Sequence, residues 1–168
     1  LDHLQFERGL ARNTLDAYRN DMNQFGTYAA ERGLEPPTAS FEDLRSFLPH
    51  LRTARFVGGE PFMMRENHRV WDQLIEMSLR PECHVTTNGT QWNAKVERVL
   101  ANLPVHLIVS MDSSHKQQFE AIRRNADFDV VVANLDRFRR YAAEAGTSVV
   151  INHCLMRDNW RDFADLLR

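Results

Sequence analysis

Four short polar segments of the 168-residue chain carry groups suited to holding a small charged molecule. They are Gly58-Gly59-Glu60-Pro61, Thr87-Asn88-Gly89-Thr90, Ser110-Met111-Asp112-Ser113 and Asn152-His153. A glycine pair lets the backbone come close to a ligand, and the Glu60 carboxylate beside it suits an ammonium group. Asn88, Ser110 and Asp112 add the mixed donors and acceptors that a hydroxyl-rich or amino-acid-like ligand needs. Arg123 offers a planar fork that meets a carboxylate through two parallel hydrogen bonds. Each piece also has an ordinary structural use, since Gly-Gly and Asn-Gly are turn residues and Ser114 with Gln117 reads as a capping box. What points to a site is that three of the four follow, or end, a run of strand type, and Asn152-His153 lies within a fourth such run.

The elements that must position them follow from apolar spacing. From Thr53 onward, short apolar runs alternate with helical patterns. The expected strands are Thr53 to Val57, His84 to Thr87, Val105 to Met111 and Ser148 to Leu155. Between them, helical stripes recur at Val70, Trp71, Leu74 and Ile75, at Val96, Val99, Leu100 and Leu103, and at Phe128, Val131, Val132, Leu135, Phe138 and Ala142, with a last one at Trp160, Phe163, Leu166 and Leu167. Strand, helix, strand repeated in this way predicts right-handed βαβ units and four parallel strands in sequential order. The fold class is therefore α/β, a partial (β/α) barrel preceded by a small helical segment. Four units are half of an eight-fold barrel, so the sheet stays open. In such a layer ligands sit at the carboxyl ends of the strands, where the four polar segments fall.

The first third has a different rhythm. Leu4 to Arg8 forms a short helix stopped at Gly9. Asn13 then caps an amphipathic helix through Leu15, Tyr18, Met22, Phe25 and Ala29, which Gly33 ends. Pro36 and Pro37 make a stiff connector, and Ser40 with Asp43 opens a third helix through Leu48.

Composition narrows the function classes. Apolar residues make up 43% of the chain and charged ones 26%, with 21 basic against 23 acidic side chains and a net charge of −2. The longest apolar runs fall far short of the roughly 20 residues a membrane helix needs, and Asp2, His3, Glu7 and Arg8 interrupt any leader-like core. The expectation is a cytoplasmic protein without a membrane partner. Residues 1–51 hold five arginines against eight acids, which argues against strong electrostatic binding of nucleic acid by that segment. Cys83 and Cys154 are the two cysteines of the sequence. They lie on predicted strands separated by another strand, so about 10 Å divides their backbones. That is too far for one zinc ion or a disulfide; the expectation is no metal site and buried strand cysteines.

From about Phe41 to the end, the chain resembles the radical S-adenosylmethionine enzymes, particularly those with an auxiliary-cluster extension that modify peptides. The matching stretches are Phe56-Val-Gly-Gly-Glu-Pro-Phe62, His84-Val-Thr-Thr-Asn-Gly-Thr90, Leu107-Ile-Val-Ser-Met-Asp112 and Phe119-Glu-Ala-Ile-Arg123 with Ala126-Asp-Phe-Asp129. The resemblance implies that Gly58, Gly59 and Glu60 hold the methionine amino group of S-adenosylmethionine. By the same likeness Ser110 takes its ribose or carboxylate, Arg123 the carboxylate, and Asn88 lines the cavity. The family also binds a four-iron, four-sulfur ([4Fe-4S]) cluster through Cys-x3-Cys-x2-Cys in the loop after its first strand. That motif, with its strand and loop, is missing here. The expectation is therefore a truncated or chimeric enzyme fragment that binds S-adenosylmethionine weakly, has no catalytic residue of its own and performs no radical chemistry alone.

Residues 1–40 resemble a different family. Leu1-Asp-His-Leu4, Glu7-Arg-Gly-Leu-Ala-Arg-Asn-Thr-Leu-Asp-Ala-Tyr-Arg19 and Glu31-Arg-Gly33 are similar to the start of the helical core-binding domain of tyrosine recombinases. That likeness implies a DNA-binding alternative through Arg12, Asn13, Thr14 and Arg19, although the local charge is negative. The domain expectation is thus a recombinase-like helical segment, 1–40, with a boundary between 40 and 51, and a partial radical-enzyme domain, 41–168. A non-catalytic chimeric scaffold is the further alternative.

Overall fold

The computed structural model of the chain describes residues 25–35, 38 and 40–166. It divides into two compact units, Leu1–His50 and Leu51–Arg168. The predicted helix Leu4 to Arg8, the start of the helix from Asn13 and the Pro36-Pro37 connector fall outside the described residues, as do Arg12, Asn13, Thr14 and Arg19.

In the first unit a helix at 25–31 ends before Gly33, whose φ of +65° is the left-handed conformation that a glycine cap adopts. Helix α1 (Phe41–Phe47) opens on Ser40 as its spacing predicts, with the hydroxyl accepting from the Asp43 amide and the Asp43 carboxylate accepting from the Ser40 amide. Those bonds to Ser40 hold the Asp43 carboxyl below its usual range. The Tyr28 ring packs on Phe47 with centroids 5.0 Å apart, and its hydroxyl donates to Ser46 Oγ at 2.8 Å.

The second unit is a four-stranded parallel sheet in the order β1-β2-β3-β4: β1 (Thr53–Phe56), β2 (Glu82–Thr87), β3 (Val105–Ser110) and β4 (Val149–Asn152). The crossovers are helices α2 (Arg65–Glu76), α3 (Ala94–Asn102), and α4 (Lys116–Ile122) followed by α5 (Phe128–Ala145). After β4 come a 3-10 turn and α6 (Phe163–Leu166). Sequential order with right-handed crossovers places the helices on one face of the sheet. Accordingly Cys83, Val85, Thr87, Val105, Leu107 and Val109 are buried, while the alternate residues of β2 and β3 are more exposed. Trp71, Leu74, Val96, Val99, Val131 and Phe138 complete the helix-side core. Burying an aliphatic or aromatic side chain of this kind contributes about 1.5–3 kcal/mol. The opposite face is open, with Val57 and Val150 more than half exposed at 55% and 53%.

Three expectations change. Strand β4 ends at Asn152 rather than Leu155, because beyond it the backbone amide of Cys154 bonds the Asp112 carboxylate instead of a neighbouring strand. Cys154 is consequently exposed, and only Cys83 is a buried strand cysteine. Ser114 and Gln117 form no capping box: α4 begins one residue later, with His115 at its N-cap, and the Ser113 hydroxyl accepts the His115 amide.

Burial pushes the Cys83 thiol from about 9 up to about 11. Between those values the folded chain keeps a proton that the unfolded chain loses, so stability declines as pH rises through this window. At pH 8, iodoacetamide is expected to modify Cys154 alone in the folded chain and both thiols in urea. Mass spectra showing two equally fast modifications of the native chain would contradict this assignment of burial.

Candidate functional site

The carboxyl ends of β1 and β2 are fastened together by one side chain. Glu60 caps the 3-10 turn Pro61–Met63 and is 8% exposed. Its Oε1 accepts the Phe62 amide at 3.2 Å and the Thr87 hydroxyl at 2.8 Å, while its Oε2 accepts the Asn88 amide at 2.7 Å. The Thr87 hydroxyl in turn accepts the Gly89 amide at 3.0 Å. The carboxylate, which the sequence offered to a ligand ammonium, is thus turned inward and acts as a latch between two turns. Its neighbours Gly58 and Gly59 remain exposed, with φ of +87° and +53°, and present bare backbone at the rim.

Asn88 stands beside this latch. Its Oδ1 accepts both the amide and the hydroxyl of Thr90, at 2.9 and 2.7 Å, which tightens the turn after β2. Gly89 is required there for two reasons: its φ is +76°, and a Cβ would lie 3.1 Å from both Val109 Cγ1 and Val131 Cγ1. Its carbonyl accepts Asn134 Nδ2 from α5 at 2.9 Å. Since Thr87 is level with Val109, Asn88 and Ser110 are the next pair in the same register, and Ser110 is paired with Asn152. The structure therefore brings Gly58, Gly59, Glu60, Asn88 and Ser110 to one rim.

Arg123 is drawn to another partner. Its Nη2 lies 2.8 Å from Asp112 Oδ2, in a pair whose side chains are 26% and 7% exposed. Asp112 Oδ1 accepts the Cys154 amide at 2.9 Å. Buried Asn159 bonds the Asp112 and Cys154 carbonyls through Nδ2, at 2.8 and 2.9 Å, and accepts the Met156 amide at 2.7 Å. His153 Nδ1 faces the Met111 carbonyl at 2.9 Å. The segment after β4 is thereby folded back over the end of β3, and the guanidinium that was expected to meet a ligand carboxylate meets Asp112.

Sequence reasoning missed Asn134 and Asn159, and it named Thr87 without its part in the latch. Thr87 ends β2 at a buried position of its alternation, and Asn134 is a polar residue at helical spacing inside the apolar stripe of α5; both are signals of a buried polar role. Nothing in the local pattern marks Asn159.

The sheet and its rim define an α/β protein of the open-barrel kind, with a polar cradle at the carboxyl ends of parallel strands. The sequence profile of the radical SAM superfamily matches residues 25–168, and the chain belongs to that superfamily. The match starts upstream of Phe41, where the motifs alone begin the resemblance. GTP 3',8-cyclase from Mycobacterium marinum (strain ATCC BAA-535 / M) is 32% identical over 120 residues, 70% of this chain and 32% of that protein. Tyrosine recombinase XerD from Mycobacterium tuberculosis (strain CDC 1551 / Oshkosh) is 43% identical over 53 residues, 31% of this chain and 17% of that protein. The chain therefore spans about a third of the cyclase and about a sixth of the recombinase. Among solved structures, Streptococcus suis SuiB bound to S-adenosylmethionine is similar with a TM-score of 0.49 and 16% identity, over 68% of this chain and 26% of that one.

The superfamily's iron–sulfur cluster finds no fit in the residues present. Cys83 faces the helices from β2, and Cys154 lies beyond β4 with β3 between them. Among the described residues no group of three or more His, Cys, Asp or Glu side chains is placed to hold a metal ion. No described helix is long and apolar enough to cross a membrane.

Proposed function

We propose that the rim at Gly58, Gly59, Asn88 and Ser110 binds S-adenosylmethionine weakly, and that this chain alone does not cleave it. The observation that carries the reading is the Glu60 latch. By holding the Asn88 amide and the Thr87 hydroxyl it fixes the turns after β1 and β2 in one position, leaving the bare glycine backbone beside Asn88 and Ser110. Membership in the radical SAM superfamily supports the choice of ligand.

In this reading the exposed Gly58 and Gly59 carbonyls accept the methionine ammonium, Asn88 and Ser110 supply donors and acceptors to the ribose, and Arg123 meets the carboxylate after sharing its fork with Asp112. Glu60 is a positioning residue. With two cysteines in the sequence, the chain does not supply the three thiolates that anchor the cluster, and this is why the reading takes binding to be weak and turnover by this chain on its own to be nil.

Titration calorimetry of the full chain with S-adenosylmethionine at millimolar concentration checks the proposal. Saturable heat is expected, weakened about tenfold, or 1.4 kcal/mol, by Ser110→Leu, which fills the rim without touching the latch. Absence of heat at that concentration, or saturable heat indifferent to Ser110→Leu, would remove the rim as the binding site.

A further inference from the structure

Beside the rim, between α2 and α3, lie two adjoining hollows of about 630 and 240 Å3 that share Arg65, His68 and Lys95. The larger has an apolar floor of Phe62, Met63 and Ala94, edged by the amides Gln91 and Asn93. The smaller continues to Val99 between Arg69, Asp72 and Arg98. Among the described lining residues four cationic side chains stand with one carboxylate, Arg69 having a further interaction of its own, within a chain whose net charge is −2. That carboxylate is already committed, because Asp72 is paired with Arg98. Among the described residues Arg65 and Lys95 have no acidic partner, and His68 is held as a fixed wall by its Nε2 on the Phe62 carbonyl at 2.8 Å. Glu66 and Glu97 stand on the same helices but do not line the trough, and Glu97 accepts the Trp92 indole N–H.

We propose that this trough docks an extended acidic peptide segment of a partner protein. Uncompensated positive charge along a groove attracts and orients an anionic partner. The remaining features select a peptide among anions. An apolar floor with Met63 68% exposed receives aliphatic side chains, and side-chain amides at the edge match the donors and acceptors of a peptide backbone. A single-stranded nucleic acid needs exposed aromatic rings for stacking. Of the described lining residues, Phe62 is the sole aromatic apart from His68, and it is 2% exposed.

The test is fluorescence anisotropy of the full chain with a labelled peptide of alternating glutamate and leucine at low salt, beside its lysine–leucine counterpart. Saturable binding of the acidic peptide alone is expected, falling as salt rises through the screening range. The double variant Arg65→Glu/Lys95→Glu should bind about tenfold more weakly or worse, as charge complementarity requires. Arg139→Glu, an exposed charge on α5 outside the trough, should leave binding unchanged. Lack of saturable binding at low salt overturns the proposal, as does an Arg139→Glu loss equal to that of the double variant. An oligonucleotide of equal charge binding as tightly as the peptide overturns it too. Arg65 and Lys95 are exposed, so the variants fold, and an unchanged thermal transition verifies this.

Discussion

Replacing Glu60 by alanine is expected to lower the stability of the α/β unit by about 3–4 kcal/mol, since a buried polar group left without its partner costs about 1–3 kcal/mol. Three donors converge on this carboxylate: the Phe62 amide, the Thr87 hydroxyl and the Asn88 amide. Truncation strands all three, and water entering the vacated volume recovers part of the loss. Glu60→Gln keeps the volume but turns an NH2 group toward one of the donors, so an intermediate loss of about 2 kcal/mol is expected. Trp71, Trp92 and Trp160 all fall within Leu51–Arg168, so tryptophan fluorescence follows that unit by itself. Urea titration should show both midpoints lowered at constant slope. A Glu60→Ala midpoint matching that of the parent chain would mean the latch contributes nothing.

The second large effect is expected at Asp112. Breaking a buried ion pair by removing one member costs about 3–5 kcal/mol because the other charge is left behind. Arg123 is 26% exposed here, and water reaching it brings the expected cost of Asp112→Ala to about 3 kcal/mol. The Cys154 amide loses its acceptor in the same substitution. If the pair is the cause, Arg123→Met added to Asp112→Ala should restore part of the loss, giving a coupling energy of about 1 kcal/mol or more in a double-mutant cycle. Additive losses would assign the effect to the Cys154 amide instead.

Much of this architecture was legible because its signals are local. The period-two burial of Cys83, Val85 and Thr87 and the helical stripe through Val131 and Phe138 each mark an element within a few residues. Parallel order then follows from alternation and handedness. That Gly58, Gly59, Asn88 and Ser110 stand at strand ends was legible for the same reason, each lying at or just beyond the end of an apolar run. What each side chain does there was not legible, because it depends on pairs distant in sequence. Glu60 and Asn88 are 28 residues apart, and Asn159 reaches Asp112 across 47. No spacing rule says whether a carboxylate beside two glycines faces outward or folds back onto the next strand. The end of β4 was misread for a related reason: Ser148 to Leu155 is apolar enough to continue as a strand, but a carboxylate on the loop after β3 captures the Cys154 amide first.

The partners of the Glu60 carboxylate lie between Phe62 and Asn88, and the Asp112 clasp is closed by residues that come later still. Among the described residues, neither fastening draws on anything before Leu51. The cradle is in that sense tied from within its own unit, each knot closing on a turn or loop that follows a strand of the same parallel sheet.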